Sequence, residues 1–229
     1  MRHNVETMST PQSDCLQPTA FIDSDCSEIV AFARGSVGEA TTEIERAIAL
    51  YYAVRDGVRY SPYGIQLQPL RFKASWVLEH KVGFCVQKSV LLAAAARALG
   101  IAARLGFADV RNHLSSPRLL EAMRTDTFVF HSYTQLCLEG RWVKATPAFN
   151  LELCRRFNVE PLAFDGKSDS LFQPFDREGR RHMEYVRDHG QFADLPFERM
   201  VGAFRRAYPH LFEGGQLSWP GGNFEREVG

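Results

Sequence analysis

Residues Gly83–Gly100 read GFCVQKSVLLAAAARALG, and the run from Leu91 to Ala98 is the strongest helix signal in the chain. Leucine, alanine and arginine are good helix formers. Gly100 stands where a left-handed residue ends a helix. Only Gln87, Lys88, Ser89 and Arg97 are polar between Cys85 and Ala98. A helix with so little polar surface must be covered on most sides, so it is expected at the centre of the fold. Gly83 frees the backbone just before it, which places Cys85 at the helix N-terminus. There the macrodipole and the unpaired backbone N–H groups favour a thiolate. Lys88, one turn on, adds a cation, and the same N–H groups suit the oxyanion of a tetrahedral intermediate. The competing reading is a small buried cysteine that only packs.

Working outward, TEIERAIALYYAVRDGVRY (Thr42–Tyr60) carries apolar residues at helical intervals and stops near Gly57. YSPYGIQLQPL is rich in turn residues, and KASWVLEH reads as a short helix leading into KVGFC. Downstream, RLGFADV predicts a strand and Arg118–Met123 a short helix. TFVFHSYTQLCL, the turn EG and RWVKATPAF predict a hairpin. With Glu139 and Gly140 as its turn, Leu138 opposes Arg141. One face then collects Phe128, Phe130, Leu136, Leu138, Val143 and Ala145. The other collects His131, Tyr133, Gln135, Cys137, Trp142, Lys144 and Thr146, a mixed face suited to a site. In that register His131 is a diagonal neighbour of Thr146, at a Cα separation of roughly 7–8 Å. A histidine on such a strand can serve as general base for a thiol on the preceding helix.

These segments together resemble the transglutaminase-like superfamily, papain-like cysteine enzymes with a Cys, His, Asp triad in that chain order. The resemblance rests on the cysteine opening a helix and on RALGIAAR, close to the family's R-x-x-G-I-P-A-R. It rests also on a histidine with an aromatic two residues later and on the G-x-W-V turn, and it covers roughly Thr42–Asn150. It implies an α+β fold in which a central helix carrying the cysteine packs on an antiparallel β-sheet. Cys85 then matches the nucleophile and His131 the base. Thr146, in Thr146-Pro147-Ala148, stands where the family writes D-P-T. A threonine hydroxyl can accept a hydrogen bond from imidazole but brings no charge. Asp109 and Asp126 are the nearest candidate acids in the chain for that place. Tyr133 and Gln135 share the histidine's face and are candidate substrate-binding residues, with sheet packing as the alternative.

The rest of the sequence sets bounds. Lys plus Arg and Asp plus Glu each total 27 in 229 residues, so no net field gathers nucleic acid or an anionic membrane. Five cysteines without a C-x-x-C pair read as reduced thiols. With no signal-like apolar run, a cytoplasmic location is expected. His182, Glu184, Asp188 and His189 are metal-ligand types, but their spacing fits no zinc helix, and neither metal nor other cofactor is expected. In DLPFERMVGAFRRAYP, Asp194 is a candidate N-cap for a helix with an apolar stripe at Phe197, Met200, Val201 and Phe204. The expected organisation is a flexible lead-in (1–18), a transglutaminase-like core (19–150), an extension packed on it (151–212) and a flexible tail (213–229). The expected activity is acyl transfer or hydrolysis of an amide, ester or thioester, on a small-molecule or peptide substrate. A non-catalytic binding module and a Cys-His proton-transfer enzyme are the alternatives.

Overall fold

The computed structural model describes residues 12–113, 115–172, 183–215 and 217–227. Helices α1 (Ser27–Val37), α2 (Glu43–Gly57) and α3 (Ala74–His80) surround α4 (Cys85–Ala98), which lies on a four-stranded sheet. Every residue from Cys85 to Arg97 is buried, as its composition requires. The sheet is antiparallel with order β5-β4-β3-β6, built from β3 (Ala103–Asn112), β4 (Thr127–Leu138), β5 (Arg141–Ala145) and β6 (Met183–Phe192). A short parallel pair, β1 (Arg59–Tyr60) and β2 (Val82–Gly83), leads the chain into α4. The fold is therefore α+β, with the cysteine helix packed on an antiparallel sheet. Among the described residues no helix is long and apolar enough to cross a membrane.

Local chemistry accounts for the main elements. Thr42 accepts from the Glu45 N–H while the Glu45 carboxylate accepts from the Thr42 N–H, a reciprocal cap that starts α2. Glu139 and Gly140, at φ 49° and 77°, form the β4–β5 turn, and Leu138 pairs with Arg141. Gly106 on β3 lies beneath Tyr133, where an added Cβ would stand 2.2 Å from the ring. Only glycine allows that approach.

The structure departs from the sequence at several places. Met183–Phe192, within the expected extension, forms a full strand against β3 that its sequence does not announce, because its register slips twice and Gly190 sits at φ 89°. Those interruptions erase the alternation that marks a strand. Asp194 does not cap α7 (Phe197–Ala207), which begins after Pro196. The residue before a proline is biased out of helical backbone, so the helix starts later. The stripe of Phe197, Met200, Val201 and Phe204 is buried as its spacing requires. Within 217–227, Phe224 is buried and Glu227 is enclosed, so this part of the expected flexible tail is packed; its aromatic side chains bury themselves against the core. Cys15 in the expected lead-in is likewise buried, and its carbonyl accepts from the Ala103 N–H.

Candidate active site

Cys85 begins α4, with Phe84 as its N-cap residue, and Gln87 accepts from the Phe84 N–H at 3.2 Å. The Gln87 amide also donates to the Arg71 carbonyl at 2.8 Å, fixing the entry to the helix. The backbone N–H groups of Ser132, the residue after His131, of Val86 and of Cys85 itself act on the sulfur in favour of its thiolate. Cys85 and His131 line one cavity of about 70 Å³, floored by aromatic and aliphatic side chains. Each is 7% exposed.

A bulge in β4 places the histidine. Ala108 pairs with His131 and Val110 with Phe128, so Val129 and Phe130 together face Asp109. Phe130 adopts φ 57°, an unusual value for an aromatic residue, next to the candidate base. Both bulged N–H groups are served from outside the ladder. Val129 donates to the Tyr208 hydroxyl at 2.8 Å and Phe130 to Asp109 Oδ1 at 3.1 Å. His189 Nε2 lies 2.6 Å from the same Asp109 oxygen, and its ring stacks on Phe130 at 4.4 Å.

The electrostatics differ from the expectation drawn from the helix N-terminus. Burial pushes the Cys85 thiol up to about 11, outweighing the backbone N–H groups that pull it down. Lys88 does not supply a free cation to Cys85. It is fully buried and donates to the Arg55 and Val58 carbonyls at 2.8 and 2.5 Å, closing the C-terminal end of α2. Its own pKa falls to about 7 through burial. Burial also lowers His131 to about 4. The resting pair at neutral pH is thus thiol and neutral imidazole.

The imidazole sits between the rings of Phe172 (5.5 Å) and Tyr185 (6.4 Å), and its Nε2 has no hydrogen-bond partner among the described residues. Thr146 is buried just past β5 and its carbonyl lies 3.2 Å from the Tyr51 hydroxyl. Among the described residues its Oγ1 has no partner, and it does not line the cavity. Neither acid considered as a substitute turns to His131. Asp109 holds the bulge and His189, and Asp126 meets Arg111 at 3.4 Å at the surface. Tyr133 and Gln135 also lie outside the cavity. Tyr133 covers Gly106 with Lys144 5.3 Å from its ring centroid, and Gln135 accepts from Arg104 at 2.6 Å.

The ligand-type residues of the C-terminal part are separated: Glu184 faces Arg111 and His113, Asp188 accepts from the Gly190 N–H, and His182 lies outside the described residues. Among the described residues no three His, Cys, Asp or Glu are grouped to hold a metal ion. Sequence reasoning missed the Asp109–His189–Phe130 support, although both polar residues had drawn notice for other roles. Their pairing depends on the slipped register of β6, which no local pattern announces.

Burial of His131 also makes stability depend on pH. The unfolded imidazole takes a proton near pH 6.5 and the folded one only near 4, so between these values the unfolded state binds more protons. Stability from this group is present above pH 6.5 and is lost as pH falls toward 4, by roughly 3 kcal/mol in all. Urea unfolding of wild type and His131→Gln at pH 7.5 and 4.5 measures it. The variant is expected to lose less stability between the two values, and equal losses would refute the assignment.

The sequence model of the transglutaminase-like superfamily matches residues 30–147, just over half of the chain. No curated protein matches it. Among solved structures, a candidate cysteine protease from Cytophaga hutchinsonii is similar at 18% identity and TM-score 0.46, covering 63% of this chain and 44% of that one. A candidate protease from Parabacteroides distasonis is similar at 15% identity and TM-score 0.39, covering 59% and 26%. The chain thus spans less than half the length of either.

Proposed function

The chain belongs to the transglutaminase-like superfamily, and from that premise we propose that it is a cysteine enzyme that moves an acyl group from an amide, ester or thioester to water or an amine. The observation that carries this reading is the cavity shared by Cys85 and His131, at the place where α4 packs on β4. The Cys85 sulfur attacks the carbonyl carbon as its proton passes to His131. The carbonyl oxygen takes the displaced electron pair, and the backbone N–H groups at the start of α4 face the negative charge. Collapse breaks the bond to the leaving group, which receives the proton from His131 and leaves a Cys85 thioester. Water or an amine then attacks that thioester, giving its proton to His131, and the departing Cys85 sulfur recovers it.

A resting thiol and neutral imidazole suit a site with threonine in place of the triad carboxylate. With no anion beside it among the described residues, the imidazole rests neutral, and the proton stays on sulfur until a carbonyl is bound. Thr146 also favours the second reading, a binding module that has lost catalysis. The two differ in one comparison. If Cys85 is the nucleophile, Cys85→Ala lowers hydrolysis of a p-nitrophenyl ester by at least about a thousandfold. If the fold is kept for binding alone, the substitution leaves the rate unchanged.

A further inference from the structure

Resting on that reading, we propose that the site accepts a compact, uncharged, apolar acyl group, and that Trp219 and Phe224 of the C-terminal segment set its size. Among the described residues no Asp, Glu, Lys or Arg lines the cavity that holds Cys85 and His131. Its walls are side chains such as Val110, Leu119, Met123, Phe149 and Phe204. A charged acyl group would enter with no counter-ion, a cost large enough to exclude it by at least about a hundredfold. The volume of about 70 Å³ is less than half of the roughly 150 Å³ of an apolar cavity that takes up benzene, which suits a short acyl chain.

One wall comes from outside the region matched by the family model. Trp219 and Phe224 both line the cavity, more than 70 residues beyond its last matched position. The segment is fastened along its length. Trp219 donates to the Pro62 carbonyl at 2.9 Å, and the Gly64 N–H donates to the Pro220 carbonyl at 2.8 Å. Phe224 stacks on Phe157 at 4.8 Å and meets Tyr60 and Tyr63. Beyond it, the enclosed Glu227 carboxylate accepts from Tyr63 Oη at 2.7 Å and Ser116 Oγ at 2.5 Å, with Arg118 3.5 Å away. This anchoring makes the wall part of the pocket, so its two aromatic side chains bear directly on what fits.

The test compares kcat/KM for the p-nitrophenyl esters of acetate, butyrate, octanoate and succinic acid (the mono-ester) in the full chain, with Cys85→Ala as the blank. Expected is a preference for acetate or butyrate of at least a hundredfold over the succinate mono-ester and at least tenfold over octanoate. Phe224→Ala is expected to raise the octanoate-to-butyrate ratio at least tenfold, and Phe224→Leu to raise it less. A ratio does not depend on the fraction of protein that is folded, so a destabilised variant still reports. Cys85-dependent turnover with equal use of the succinate mono-ester, or with a ratio unmoved by Phe224→Ala, overturns this inference and leaves the acyl-transfer reading standing. Absence of Cys85-dependent turnover on every ester overturns both.

Discussion

His131→Gln is expected to lower Cys85-dependent ester turnover by about 10²- to 10⁴-fold, the usual worth of a positioned general base. Glutamine keeps a similar shape and a hydrogen-bonding end but cannot take the proton. The imidazole is the side chain in the cavity fitted for that task, since no carboxylate or lysine lines it among the described residues. The loss should fall on kcat more than on KM, because the base acts in the transition state. It should also remove the acid limb of the pH–rate profile, which in wild type follows a group that burial has lowered to about 4. A thiol near 11 and an imidazole near 4 cannot exchange a proton cheaply at rest. Proton transfer must therefore be coupled to attack on the carbonyl, and alkylation of the resting Cys85 at neutral pH should be slow. An imidazole held by a carboxylate would behave otherwise, and Thr146 is the sequence feature that foretells the difference.

Arg97→Met is expected to cost about 4 kcal/mol or more of folding stability, from three carbonyls deprived of a charged donor. The guanidinium donates to Gln17 O at 2.5 Å, to Ala103 O at 3.0 and 2.7 Å, and to Ala193 O at 2.5 Å. It ties the end of α4 to the segment before α1, to the start of β3 and to the turn after β6. Methionine fills much of the volume but leaves those carbonyls unpaired. Thermal unfolding should show a fall in Tm of about 10 °C for a chain of this size. Arg97→Lys should recover only part of it, because an ammonium lacks the planar fork that serves three acceptors at once. A shift of less than about 3 °C would mean that these contacts add little.

The parts legible in the sequence are those whose signal is local. The small-residue helix Cys85–Ala98 and the Glu139-Gly140 hairpin each follow from a single unbroken pattern, and together they placed Cys85 and His131 on touching elements. What was not legible depends on distant partners. Lys88 looked like a cation for the thiol because it is one turn away, yet its ammonium is drawn to the carbonyl end of α2, and the thiol is governed by burial. The Phe130 bulge needs Asp109 and Tyr208 from elsewhere in the chain, and an aromatic residue in left-handed backbone carries no sequence mark. Tyr133 and Gln135 share a strand face with each other but lie outside the cavity, farther along β4 on the side of His131 away from the bulge. The wall formed by Trp219 and Phe224 was hidden by its glycines and Pro220, which read as a loose end.

The central claim is that Cys85 carries the acyl group, and rapid mixing with p-nitrophenyl butyrate followed by intact-protein mass spectrometry tests it most directly. The account predicts a burst of nitrophenol in proportion to protein, a mass gain equal to one butyryl group, and mapping of that group to Cys85. It also predicts that the adduct disappears at the rate of steady-state turnover. Turnover without an adduct, or an adduct on Cys26 or another residue that persists in Cys85→Ala, would contradict it.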